Sequence, residues 1–172
     1  KRRGILSTVN VSSHRNGDTI KVLKDVLGDI ASYDRTSINA WEDREFVDAV
    51  KSADRQKLIL TALWTEACLT FPTLDAIAEG YEVYPVVDAV GGTSLAAHEA
   101  ALRRVEQAGG HPTSVAQIAC EHQRDSNRGD NVSVISKALQ DAEECPKAKS
   151  PRTATQTTGR TPPGTMLDED RL

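Results

Sequence analysis

The sequence contains no run of about 18 consecutive apolar residues, so no membrane-spanning helix is expected from it. It also has no charged-then-apolar leader of the kind that directs secretion. Cysteine is scarce. Cys68, Cys120 and Cys145 have neither the even count of a secreted disulfide framework nor the CxxC spacing of a zinc site. A reduced, cytoplasmic setting is expected. His14, His98, His111 and His122 are scattered without ligand-like spacing, so neither a metal nor another cofactor is expected. Basic excess is absent too. The formal net charge of -4 argues against a sequence-independent nucleic-acid binder, which needs a basic patch to displace phosphate counterions. Lys1-Arg2-Arg3 is too short to change that. The chain starts at Lys1 without a methionine and reaches a strand-like run at Gly4, as expected of a processed, cropped or incomplete sequence.

What the sequence does contain is an alternation of strands and helices. Ile5 to Val11 is rich in β-branched residues and gives way to Ser, His, Asn and Gly, the pattern of a strand ending in a loop. Asp18 can cap a helix in which Ile20, Leu23, Val26 and Leu27 share a face before Gly28. A short extended piece follows at residues 31–34, and a helix starts with the acidic cluster Glu42, Asp43 and Glu45. Lys57 to Leu63 is an almost unbroken apolar run of strand length, as expected for a parallel strand covered on both faces. A helical pattern then reaches Gly80, and a strand is expected over Tyr81 to Val87. Gly91-Gly92-Thr93-Ser94 reads as a turn with a cap before a helix over Leu95 to Ala108. Another helix is expected from Ser114 to about His122, with Cys120 on its core side, and one more over Val132 to Glu144. The order implies a parallel sheet with crossover helices.

Residues 145–172 differ from the rest. From Pro146 onward there are four prolines, and Ala148, Ala154, Met166, Leu167 and Leu172 are the apolar residues, too few to offset the entropy of ordering. A disordered tail is expected there, leaving residues 1–144 for the folded domain.

In an open parallel sheet, ligands bind where the carboxyl ends of strands meet loops and helix starts. Trp64-Thr65-Glu66-Ala67-Cys68 sits at such an end. A cysteine in the first turn of a helix feels backbone N–H groups and the positive helix end, which favour the thiolate. A small buried apolar role is the other reading of such a residue, and position alone leaves both open. Asp88, before the Gly-Gly turn, reads as a loop residue that accepts backbone N–H groups. His98, Glu99, Arg103 and Arg104 read as exposed charges paired along a helix.

Ser37-Ile38-Asn39-Ala40-Trp41-Glu42-Asp43, Leu60-Thr61-Ala62-Leu63-Trp64-Thr65-Glu66-Ala67-Cys68-Leu69-Thr70-Phe71-Pro72, Glu79 to Val83 and Asp88 to Ser94 occur in that order. In sequence and spacing they resemble the isochorismatase-like cysteine hydrolases, particularly the YcaC-type branch. The resemblance implies a three-layer α/β/α fold with a mostly parallel, Rossmann-like sheet. It further implies a triad of aspartate, basic residue and cysteine that cleaves amide, imide or related C–N bonds of small molecules through a thioester. Cys68 then matches the nucleophile and Arg35 the basic residue. The backbone N–H groups of Trp64 and Cys68 match the oxyanion hole, beside a cis peptide bond at Leu63-Trp64. Trp41 and Thr65, with Trp64, are pocket candidates, packing at an oligomer contact being the equal alternative for the two tryptophans. Assembly into a homo-oligomer is implied as well.

One departure stands out. The family's aspartate closes a first strand of the pattern apolar-apolar-Asp-x-Gln, and no such segment precedes Gly4. The first strand here resembles the family's second. A central strand is therefore expected to be missing from this N-terminally incomplete domain, and hydrolysis is expected only where the aspartate is supplied. The competing expectations are a catalytically inactive binding or structural subunit and a non-functional gene fragment.

Overall fold

The computed structural model describes residues 4–9, 16–125, 127–129 and 132–144. The expected tail over residues 145–172, with Cys145, and the expected loop histidine His14 lie outside them. Four strands are present among the described residues, and all pair in parallel. Strand β1 (Leu6–Val9) lies beside β2 (Ser32–Arg35), from Leu6 opposite Ser32 to Val9 opposite Arg35. Strand β3 (Lys57–Leu60) lies beside β4 (Glu82–Pro85) in the same manner. Parallel neighbours need crossovers. Helix α1 (Lys21–Leu27) makes the first and α3 (Thr70–Ala78) the second, while α2 (Arg44–Ser52) connects β2 to β3. Past β4, Val86 bridges in parallel to Thr113, flanked by α4 (Leu95–Gln107) and α5 (Val115–Gln123). Helix α6 (Val132–Glu144) packs on α5.

The strands form two two-stranded sheets instead of one continuous sheet. Helix α2 packs against strands of both. The Asp43 carboxylate accepts the Phe46 N–H at 2.8 Å and starts the helix. Its buried face, Phe46, Val47 and Val50 with Ala40 of the preceding turn, is packed by Ile5 and Tyr33 from the first sheet and by Leu58 from the second. Trp41 and Tyr81 complete the cluster, with edge-to-face rings at 5.6 Å. Burying side chains of this size stabilises by about 1.5–3 kcal/mol each, so one helix holds both sheets against a shared apolar floor.

Three expectations change. Helix α1 begins after Ile20, with no side-chain cap, because Asp18 pairs instead with Lys24 at 3.0 Å. Its apolar residues remain uncovered, Val26 being 80% exposed. Strand β3 is not covered on both faces: Ile59 is 46% exposed even though its neighbours in sequence are apolar. Cys120 is exposed, since α5 turns Ala119 and not Cys120 inward.

Candidate active site

Beyond β3, Leu63 forms an isolated parallel bridge with Gly91. The Leu63–Trp64 peptide bond is cis, at the bond where the resemblance implies one. Residues Thr65–Leu69 form a single π turn that runs into α3. The sequence pattern predicts an ordinary first helical turn around Cys68, and the local hydrogen bonds show the reason for the difference. Leu69 donates its N–H to the Trp64 carbonyl, five residues back, at 3.2 Å. The Thr65 carbonyl takes the Thr70 N–H and also the Thr70 hydroxyl at 2.6 Å, and these widen the turn. Leu69 and Thr70 are buried, whereas Cys68 is half-buried and its thiol has no hydrogen-bond partner among the described residues. The Trp64 N–H likewise donates to no acceptor among them.

The turn is fastened to the loop after β4. Thr65 donates its N–H to the Gly91 carbonyl at 2.9 Å, and its fully buried hydroxyl shares a 2.8 Å hydrogen bond with His98 Nδ1 of α4. Glu66 Oε1 accepts from the Thr93 N–H at 2.9 Å and from the Thr93 hydroxyl at 2.5 Å. The Thr93 hydroxyl chiefly, then its N–H, holds the Glu66 carboxyl below the usual carboxylate range. The Gly91-Gly92 pair permits this closeness. A Cβ on Gly91 would lie 3.0 Å from Leu63 Cδ1, and one on Gly92 would lie 2.8 Å from Glu66 Oε2 and 3.0 Å from His98 Cβ. Gly92 is therefore small because the cysteine turn packs on it.

Arg35 closes β2 and is 5% exposed. Its Nε donates to Ser7 Oγ at 2.9 Å, and its Nη1 donates to the Ile38 carbonyl at 2.9 Å and to the Ser37 carbonyl. The guanidinium thus joins β1 to the Ser37–Asn39 segment. No hydrogen bond joins it to Cys68 among the described residues. Arg35 ends β2 and Cys68 follows β3, and the segment after β2 meets α3 and its C-cap through two hydrogen bonds. Asn39 Nδ2 donates to Asp75 Oδ2 of α3 at 2.6 Å, and Trp41 Nε1 donates to Glu79 Oε1 at 2.9 Å. Lys51 of α2 also reaches Glu79, at 3.0 Å. Trp41 packs against Phe46 and Tyr81, while Trp64 is 53% exposed four residues before Cys68. Asp88 takes the Val115 N–H at 2.9 Å and starts α5, a structural task.

Glu66, Thr93 and His98 were missed as a group by reading the sequence. His98 reads as a surface charge there, and the signal that could have exposed the contact is the pairing of Gly91-Gly92-Thr93 with Thr65-Glu66 directly ahead of the cysteine. A separate groove of about 410 Å³, lined by Val87, Glu99, Leu102, Arg103, Glu106 and Pro112, lies along α4 and includes none of the residues around Cys68.

Residues 9–117 match the isochorismatase domain family. The chain belongs to that family. Over 119 residues it is 36% identical to the probable hydrolase YcaC of Escherichia coli strain K12, a match that covers 69% of this chain and 57% of that protein. The match thus spans little more than half the length of that relative. The crystal structure of the Escherichia coli YcaC gene product, an octameric hydrolase of unknown specificity, superposes with a TM-score of 0.73. It is 33% identical, with 81% of this chain and 69% of that chain covered. YcaC from Pseudomonas aeruginosa, solved with hexane-2,5-diol and covalent acrylamide, gives a TM-score of 0.73 at 32% identity, covering 80% and 69%. The isochorismatase fold is a three-layer α/β/α arrangement, and the parallel pairs and crossover helices of this chain are its parts.

Proposed function

We propose that this chain carries the nucleophile of a cysteine hydrolase that acts on a small amide, imide or related C–N substrate. The observation that carries the reading is the placement of Cys68. It is half-buried in a fixed turn at a helix start, directly after the carboxyl side of a parallel strand. Isochorismatase family membership and hydrolase relatives support the reaction class. The covalent acrylamide on the Pseudomonas relative supports a reactive nucleophile in this branch, because acrylamide is an electrophile to which thiolates add.

In this reading the Cys68 thiolate attacks the carbonyl carbon of the substrate. A C–S bond forms while the carbonyl oxygen takes up negative charge, received by the Trp64 and Cys68 N–H groups. The C–N bond then breaks, the nitrogen leaves with the proton taken from the thiol, and a thioester remains. Water cleaves the thioester to a carboxylic acid and restores the thiol. Arg35 supplies positive charge at the neighbouring strand end. The proton acceptor implied by the resemblance is an aspartate ending a further, central strand. No residue of Lys1 to Leu172 matches it. The protein works, in this reading, as a homo-oligomer.

A second reading, a binding or structural subunit without chemistry, is favoured by one observation: no carboxylate among the described residues hydrogen-bonds to the Cys68 thiol. The two are separated by incubating the protein with a panel of small amides and imides and following acyl adducts by intact mass. The hydrolase reading expects an adduct that maps to Cys68 and disappears in Cys68→Ala. Its absence across the panel, with Cys68 alkylated by iodoacetamide no faster than exposed Cys120, would leave the non-catalytic subunit.

A further inference from the structure

The contacts that hold the cysteine turn come from residues with no part in the steps above. Thr65 and Glu66 lie three and two positions before Cys68. Side chains two apart on a helical turn do not face each other, so Glu66 acts on the thiol through the backbone. Its carboxylate has a single seat. Oε1 takes both donors of Thr93, while Oε2 is buried without a partner and lies against Gly92, where even a methyl group would meet it at 2.8 Å. Beside it, the Thr65 hydroxyl is bonded to His98 and the Thr65 N–H to Gly91. The turn is thereby tied at two successive residues to a different loop and helix, immediately ahead of the nucleophile.

We infer that Glu66 and Thr93 form a clamp that positions the Cys68 nucleophile. The Glu66 carboxylate, bonded by the Thr93 hydroxyl and N–H, fixes the π turn that carries Cys68 ahead of α3. Backbone N–H groups at a helix start favour a thiolate only while the residue that carries it is held in position. The inference rests on the reading of Cys68 as an activated nucleophile, and Glu66 and Thr93 are positioning residues that do not touch the reacting atoms.

The test is the pH–rate profile of Cys68 alkylation by iodoacetamide, followed by peptide mapping on the full chain, with Cys120 as internal reference. Thr93→Val removes the hydroxyl but keeps shape and backbone N–H; Thr93→Ser restores a hydroxyl; Glu66→Gln removes the charged acceptor. The clamp expects Thr93→Val to slow Cys68 alkylation at pH 7 by about tenfold relative to Cys120. Thr93→Ser stays near wild type, and Cys120 is unchanged throughout. Glu66→Gln combined with Thr93→Val slows Cys68 no more than the stronger single change, because both break one contact. Thermal unfolding of each variant reports that the fold persists. Matching Cys68 profiles for Thr93→Val and Thr93→Ser, with wild-type Cys68 still faster than Cys120, would overturn the clamp and leave the nucleophile reading intact. A wild-type Cys68 no faster than Cys120 would overturn both.

Discussion

A buried guanidinium is costly unless its donors are used, and Arg35 uses them on Ser7, Ser37 and Ile38. Spacing along the sequence cannot distinguish such a residue from a surface arginine after a short strand, because burial is a property of the neighbours. Arg35→Ala is expected to lower unfolding stability by about 2–3 kcal/mol, since it strands two carbonyls near the end of β2. Arg35→Lys recovers only part, because a point charge cannot reproduce the planar fork. Urea denaturation of both variants checks this. Three carboxyls also report on pH. Glu66 is held low by Thr93, Glu79 by Trp41 and then Lys51, and Glu82 by Lys57 and then Tyr84. Depressed folded values mean that their contribution is fully present above the ordinary carboxylate value of 4.5 and is lost as pH falls through the lower folded values. The urea midpoint should hold steady from neutral pH to about pH 5 and fall below about pH 4.5. Glu66→Gln with Glu79→Gln should flatten that fall.

At the scale of elements, the strand and helix order was legible because each element carries its own period and punctuation. Asp43, Ser94 and Ser114 each accept an N–H from the helix they start, at 2.8, 3.1 and 3.1 Å. The π turn was not legible. It depends on the Thr65 carbonyl receiving two donors from Thr70, and hydrogen-bond competition of that kind leaves no trace in apolar spacing. The orientation of α5 was hidden for a related reason: Ala119 and Cys120 are both small and apolar, and only packing decides which faces inward. Leu69 is fully buried at the end of the π turn. Leu69→Ala should cost about 2–5 kcal/mol by leaving a cavity in the turn that carries Cys68. Thermal unfolding gives the cost. On the proposed reading, iodoacetamide mapping should show Cys68 labelling slow relative to Cys120 at the same time.

The whole molecule presents apolar surface close to the site, with Leu63 71% and Trp64 53% exposed. If the homo-oligomer reading holds, light scattering will give a mass that is a multiple of the single chain, and Leu63→Glu will shift it downward. A monomeric wild type at micromolar concentration would count against it. The two sheets have one more consequence. Each closes its own pairing locally, β1 with β2 and β3 with β4, and they are joined through the α2 floor and the Asn39–Asp75 and Trp41–Glu79 bonds. Cooperative units of folding follow boundaries of this kind. Native-state amide exchange should therefore find two separate opening energies, with the β1–β2 unit exchanging first and the cysteine half last, and Val50→Ala on α2 should widen the interval between them.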